Sequence, residues 1–225
     1  RAPPRFSHQL TLRPRGGCFY SPNALLGWAR ATLGCGVRRI TGGVHRRERG
    51  DAAFGNHLTL LVDPDEAGIE RTWLCDLGLG DALRVPIPLT KGLHADVRLV
   101  FRLERLPDGC WRFHNHGYGT PESFDFRDAP ADEGLFAAQN RYLQTDPQPH
   151  FVLNAEAVHL EPQCSVTLLG RVLRHASTTG VNKELIDTPE ALEAALNRHF
   201  GISGIPVAIL WPLIVARHDQ LFPSP

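Results

Sequence analysis

Two short apolar runs constrain this chain more than anything else in it. His57 to Val62 (HLTLLV) and Thr72 to Leu77 (TWLCDL) are rich in strand formers, and a polar stretch containing Pro64 and Gly68 separates them. Such a pair reads as an antiparallel hairpin. Closed symmetrically, it sets Val62 against Arg71, Leu60 against Trp73 and His57 against Asp76. Directly opposed residues hold their Cβ atoms about 4.5–5.5 Å apart, so this register puts a carboxylate beside an imidazole. A slip of one residue would undo it. His57 would then face solvent, and Asp76 would merely open the turn at Gly78.

The pairing has chemical consequences. A carboxylate fixes the imidazole tautomer and favours the imidazolium, and an imidazolium favours a nearby thiolate. A thiol lies upstream, in Arg15-Gly16-Gly17-Cys18-Phe19-Tyr20-Ser21-Pro22-Asn23. Cys18, His57 and Asp76 are therefore the candidate catalytic residues: nucleophile, base and acid, and orienting carboxylate. That set can run acyl transfer through a covalent intermediate.

Composition narrows the setting. With 225 residues, 42% hydrophobic and 21% charged, the chain can bury a sizeable core or two compact units. Lys plus Arg equals Asp plus Glu at 24 each, so no net basic field favours nucleic acid or an anionic membrane. The five cysteines, Cys18, Cys35, Cys75, Cys110 and Cys164, are scattered and include no Cys-x-x-Cys. This pattern fits a reduced, cytoplasmic protein better than a disulfide framework. The apolar run Ile209 to Ala216 is too short to span a bilayer and contains Pro212. No signal peptide is visible. The sequence has no Met and starts at Arg1, so it is read as lacking its true N-terminus.

Along the chain, Ser21-Pro22 reads as the N-cap and first residue of a helix ended by Gly34, with Leu25 or Trp28 expected to be buried. Strands are expected around Val37–Ile40, His57–Val62, Thr72–Cys75, Val97–Leu103 and Trp111–His114, curving into a small barrel. Glu133 to Leu143 reads as a helix. Phe151–Leu153, Ser165–Leu169 and Arg171–His175 read as strands, and Thr188-Pro189 opens a helix through Arg198.

Other clusters compete for attention. Cys110, His114 and His116 have soft-ligand chemistry, but the alternation of Cys110-Trp111-Arg112-Phe113 favours a strand over a metal site. Arg46 to Arg49 reads as a solvated charge run. Gly42-Gly43 lacks the pattern of a nucleotide phosphate loop. Cys75 points away from the Asp76 face and reads as core.

The ordered fragments resemble the arylamine N-acetyltransferases. Arg15-Gly16-Gly17, Asn23, Gly42-Gly43-Val44, His57 and Asp76-Leu77-Gly78-Leu79-Gly80 fall in that family's sequence, as do Asn140 to Pro147, Gly170-Arg171 and Phe200-Gly201-Ile202. The resemblance implies an α+β fold with four parts. Residues 1–35 would be a truncated remnant of a helical N-terminal domain, 36–130 a β-barrel domain, 131–150 a linker helix and 151–225 an α/β lid, with a papain-like Cys-His-Asp arrangement. It also implies ping-pong acetyl transfer from acetyl-CoA to an aromatic amine or hydrazine, coenzyme A contacts at Gly42 and Gly43, and no metal. One departure stands. Counted without gaps from Arg15 to Asn23, the nucleophile's place falls on Phe19; a compensated insertion and deletion returns it to Cys18. Two alternatives thus accompany the implied function: an amide synthase or cyclase acting on a carrier-bound acyl chain, and an inactive member with Phe19 in the slot.

Overall fold

The computed structural model describes residues 20–64, 71–96, 99–145, 153–161 and 164–223. Cys18, Phe19 and the expected strand residues Phe151 and Val152 lie outside the described residues. Up to Asn140 the described residues form one compact unit, and from Arg141 onward they form a second.

The first unit opens with helix α1 (Tyr20–Thr32). It starts two residues before the expected Pro22, which is compatible with proline because the first helical amides lack intrahelical partners anyway. Eight strands follow: β1 (Gly36–Val44), β2 (His57–Asp63), β3 (Trp73–Cys75), β4 (Ile87–Pro88), β5 (Gly92–Ala95), β6 (Val100–Arg105), β7 (Trp111–His114) and β8 (Ser123–Phe126). A one-turn helix, α2 (Arg46–Arg49), lies between β1 and β2. The strands pair in the order β4-β3-β2-β1-β8-β7-β6-β5, a nearly closed, barrel-like sheet. Its inner face carries Ile40, Leu61, Leu74, Phe101, Leu103, Phe113, Phe124 and Phe126.

Strand β2 explains why the His57–Val62 run is continuously apolar. His57, Thr59 and Leu61 face the barrel interior, while Leu58, Leu60 and Val62 lie on the opposite face. Both faces are covered, and six of the seven residues are buried. On the outer face Leu60, Val62 and Cys75 pack with Leu26 of α1 and with Val37 and Trp73. The helix presents its small side: Asn23 and Gly27 are its buried residues, and a Cβ at Gly27 would stand 3.4 Å from Leu60. Trp28 and Leu25, expected in the core, are only half-buried. Close approach of helix to strand places the small residues innermost.

The hairpin is present with a corrected register. Leu60 pairs with Cys75, Leu61 with Leu74 and Val62 with Trp73, two residues from the symmetric closure. Because side chains alternate with a period of two, a slip of two leaves every residue on its expected face. Strand β6 starts at Val100, and the expected start at Val97 lies outside the described residues.

Helix α3 (Glu133–Thr145) spans the boundary between the units. The second unit is a four-stranded antiparallel meander, β9 (Glu156–Leu160), β10 (Cys164–Leu169), β11 (Val172–Ser177) and β12 (Gly180–Leu185), with helices α4 (Pro189–Phe200) and α5 (Val207–Leu221). Val166, Leu168 and Leu173 pack against Leu192, Ala195 and Val207. Thr188 caps α4 as its sequence implies, accepting the Ala191 amide at 3.1 Å, and Gly201 closes the helix with φ +64°. Among the described residues no helix is long and apolar enough to cross a membrane.

Candidate active site

At one end of the barrel, His57 Nε2 donates to Asp76 Oδ2 at 2.6 Å. Their side chains are 2% and 1% exposed. In the observed register Asp76 follows the last residue of β3 and lies diagonally from His57 on the same face, a distance these side chains bridge. The pair forms through a diagonal contact, not the directly opposed one expected from the symmetric hairpin.

Asn23 of α1 completes the arrangement. Its Nδ2 donates to Asp76 Oδ1 at 2.9 Å and to the Leu58 carbonyl at 2.6 Å, and its Oδ1 accepts the Leu77 amide at 2.7 Å. The Gly78 amide donates to Asp76 Oδ1 at 2.7 Å. Asn23 is fully buried, and one side chain therefore ties the helix to β2, to the carboxylate and to the chain just after it. Asn23 stood in the recognised motif, but its contacts were not foreseen. The available signal is its spacing: a polar residue four positions before the only other buried residue of α1, Gly27.

Burial alone would push the Asp76 carboxyl up. The neighbouring His57 charge and the hydrogen bonds from His57, Asn23 and Gly78 outweigh it and hold the group below its ordinary range. Asp76 is thus an ionised acceptor, and it favours the His57 tautomer with hydrogen on Nε2, which leaves Nδ1 as the basic nitrogen.

The far end of the Asp76 loop is pinned too. Asp81, fully buried, accepts the Thr120 amide at 2.7 Å, and its carbonyl accepts His116 Nε2 at 2.9 Å. Gly80 adopts φ +46°, and a Cβ there would stand 2.4 Å from the Thr120 carbonyl oxygen. Only glycine fits that approach. The second glycine of the Asp-x-Gly-x-Gly run thus has a local structural cause.

The remaining candidates separate. Gly42 lies in β1 directly opposite His57, and Gly43 opposite Asp125. Both are buried within the sheet. His114 pairs with Glu104 at 2.9 Å, His116 serves Asp81, and Cys110 is buried. Among the described residues no group of three His, Cys, Asp or Glu could hold a metal ion. Cys75 is buried with Leu60 and Val62, as its strand position implied, and burial pushes its thiol up to about 11.

Arg47, Glu48 and Arg49 of the charge run are exposed, as read, but Arg46 departs from that reading. Arg46 is not solvated: its side chain is 14% exposed and reaches Asp51, Asp108 and the buried Asp125 at 2.6, 2.6 and 3.1 Å. Arg112 holds the same Asp125 through Nε at 2.6 Å and Nη2 at 2.8 Å.

Comparison with known proteins gives this geometry a family. Residues 3–205 match the model of the N-acetyltransferases. The arylamine N-acetyltransferase of Mycolicibacterium smegmatis is 28% identical over 198 residues, covering 86% of this chain and 71% of the relative. That of Mycobacterium tuberculosis H37Rv is 26% identical over 206 residues, 90% of this chain and 72% of the relative. The solved M. tuberculosis arylamine N-acetyltransferase superposes with a TM-score of 0.80 at 26% identity, covering 95% of this chain and 81% of that one. The Mycobacterium marinum enzyme in complex with CoA shares the fold, with a TM-score of 0.80 at 24% identity, covering 97% of this chain and 81% of that one. The chain belongs to the arylamine N-acetyltransferase family, a family of acyltransferases.

Proposed function

We propose that this protein moves an acetyl group from acetyl-CoA to an aromatic amine or hydrazine through a thioester on Cys18. The observation that carries the reading is the buried His57–Asp76 contact at 2.6 Å, held from behind by Asn23. His57 takes the Cys18 proton at Nδ1. The sulfur then bonds to the acetyl carbon as the bond from that carbon to the coenzyme A sulfur breaks, and the departing sulfur takes the proton from the imidazolium. In the second half the amine nitrogen attacks the thioester carbon and gives its proton to Nδ1. The bond to Cys18 breaks, and the thiol is restored with that proton. Asp76 keeps Nε2 protonated throughout and offsets the charge on the imidazolium.

Supporting the donor is the M. marinum relative, whose structure is of its complex with CoA. The contacts of Gly42 and Gly43 with coenzyme A, and the division into helical remnant, barrel, linker and lid, are part of the same reading. So is a cytoplasmic setting, which accords with free thiols at Cys35, Cys75 and Cys110.

Initial rates test the scheme. With acetyl-CoA and an aromatic amine varied together, a double-displacement route gives parallel double-reciprocal lines, with coenzyme A released before the amine is consumed. Converging lines, or release of coenzyme A only in the presence of amine, would overturn the covalent route. Turnover confined to carrier-bound acyl chains would overturn the substrate assignment.

A further inference from the structure

His57 is held by its own backbone and by the hydrogen bond from Nε2 to Asp76. Nε2 and Cε1 flank the axis about which χ2 turns, and Nδ1 lies further from it. Rotation about χ2 therefore carries Nδ1 through a wider arc than Nε2. The χ2 torsion of histidine is intrinsically broad. The plane of the ring decides where the basic nitrogen points, and packing against the ring restricts it.

Two further contacts restrict that plane. Phe124 of β8 meets the imidazole edge-on, with ring centroids 4.9 Å apart and planes at 67°. Opposite His57 on β1 is Gly42, where a Cβ would stand 3.1 Å from His57 Cδ2 and 3.2 Å from its Cβ, so the side chain lies close against bare backbone. Phe124 is itself immobilised. It is 1% exposed, and it packs on Phe113 at 5.3 Å and Phe126 at 5.5 Å. Phe113 in turn stacks on Phe101 at 5.5 Å. The aromatic slab of the barrel ends against the imidazole. Resting on the acetyltransferase reading above, we propose that Phe124 is a positioning residue for His57, holding the imidazole plane so that Nδ1 points at the nucleophile. Phe124 takes no part in the chemistry and acts through the ring it touches.

The test compares Phe124→Leu with Phe101→Leu in the full chain. Both remove a phenyl ring that is 1% exposed from the same slab; Phe101 meets Phe113 and His116, whereas Phe124 meets His57. Acetyl transfer is followed across the range in which histidine titrates, and the ring nitrogens of ¹⁵N-labelled His57 are followed by NMR. Phe124→Leu is expected to lower kcat about tenfold, with KM for acetyl-CoA within about twofold, because misplacing a reacting group by a fraction of an ångström is costly. The ¹⁵N shifts of the His57 ring nitrogens at fixed pH are expected to change as the ring moves. Phe101→Leu should leave kcat within about twofold of the parent and the His57 ring shifts unchanged. Equal effects of the two leucine variants, or an unchanged kcat and unchanged His57 ring shifts in Phe124→Leu, would overturn the proposal. Phe124→Met is the second variant; failure of both Phe124 variants to fold while Phe101→Leu folds would assign Phe124 to the core alone and equally overturn it. If the parent transfers no acetyl group, the proposed function falls, while the NMR comparison still decides the role of Phe124.

Discussion

Asp76 and Asp125 are equally dry, with side chains 1% exposed, yet they are held in opposite ways. Asp125 lies between the guanidiniums of Arg112 and Arg46, two charges that never leave at accessible pH. Asp76 has one partner that can gain or lose a proton, His57, and two that carry no charge, Asn23 and the Gly78 amide. A carboxylate between permanent cations is a fixed cross-link. A carboxylate whose only ionisable partner is an imidazole can follow a proton through a reaction cycle. Burial alone, which a reader of accessibility would weigh equally at both sites, does not separate the structural carboxylate from the functional one; the partners do.

The largest effect should come at Asp76. Asp76→Asn keeps shape and removes charge, and it is expected to lower kcat/KM for acetyl transfer by about 10³- to 10⁴-fold, the scale on which an orienting carboxylate acts in a triad. The same isosteric change at Asp125 is the contrast. Asp125→Asn leaves Arg46 and Arg112 facing a neutral amide and should cost about 3 kcal/mol of stability in urea unfolding, with kcat of the folded fraction unchanged. A large loss of kcat there would break the distinction. Asn23→Ala removes the hydrogen bonds to Asp76, Leu58 and Leu77 together, and it is expected to lower kcat by about 10²-fold through misplacement of the pair. It should also destabilise the protein by about 1.5–3 kcal/mol, the value of a hydrogen bond to a charged group.

Acid unfolding gives the smallest and most graded comparison. The folded protein holds the Asp76 carboxyl below its ordinary 3.8, so the stability it contributes is present above pH 3.8 and is lost as pH falls through the lowered folded value. Asp108 behaves alike: the Cys110 amide and the Arg46 guanidinium hold it down to about 2. Asp76→Asn should flatten the acid limb of a stability–pH curve relative to the parent, and a limb of unchanged steepness would contradict the shift.

How legible these features were in the sequence follows from the range of the forces involved. The His57–Asp76 pairing could be read because strand parity is local and burial fixes it; the absolute register could not, because the turn sets it, and the slip of two preserved the face. The resemblance also led to the α+β barrel-like fold and the family. Arg46 was misread because its partners Asp108 and Asp125 lie 62 and 79 residues away, and no local spacing reveals them. Asp125 itself sits in Phe124-Asp125-Phe126, where alternation marks it as an outward residue, and long-range arginines then cover it. Strands β9 and β12 escaped notice for another reason. Mostly exposed, with only a few residues half-buried, they carry little apolar alternation and owe their form to the ladders they make with β10 and β11. Helix α1 was found from its apolar spacing, yet its buried edge is the small one, since side-chain size, not hydrophobicity, limits how near a helix can come to a strand.

The central claim is that the His57–Asp76 pair serves a thiol that carries the acetyl group. Intact-mass spectrometry of the protein after exposure to acetyl-CoA without amine tests it most directly. The account predicts one acetyl group per chain, stable until an aromatic amine is added, mapped to Cys18 by peptide analysis and absent from Cys18→Ala. An unmodified parent protein in which His57 and Asp76 remain hydrogen-bonded would contradict it, leaving Phe19 in the nucleophile's place and a cleft that binds without reacting.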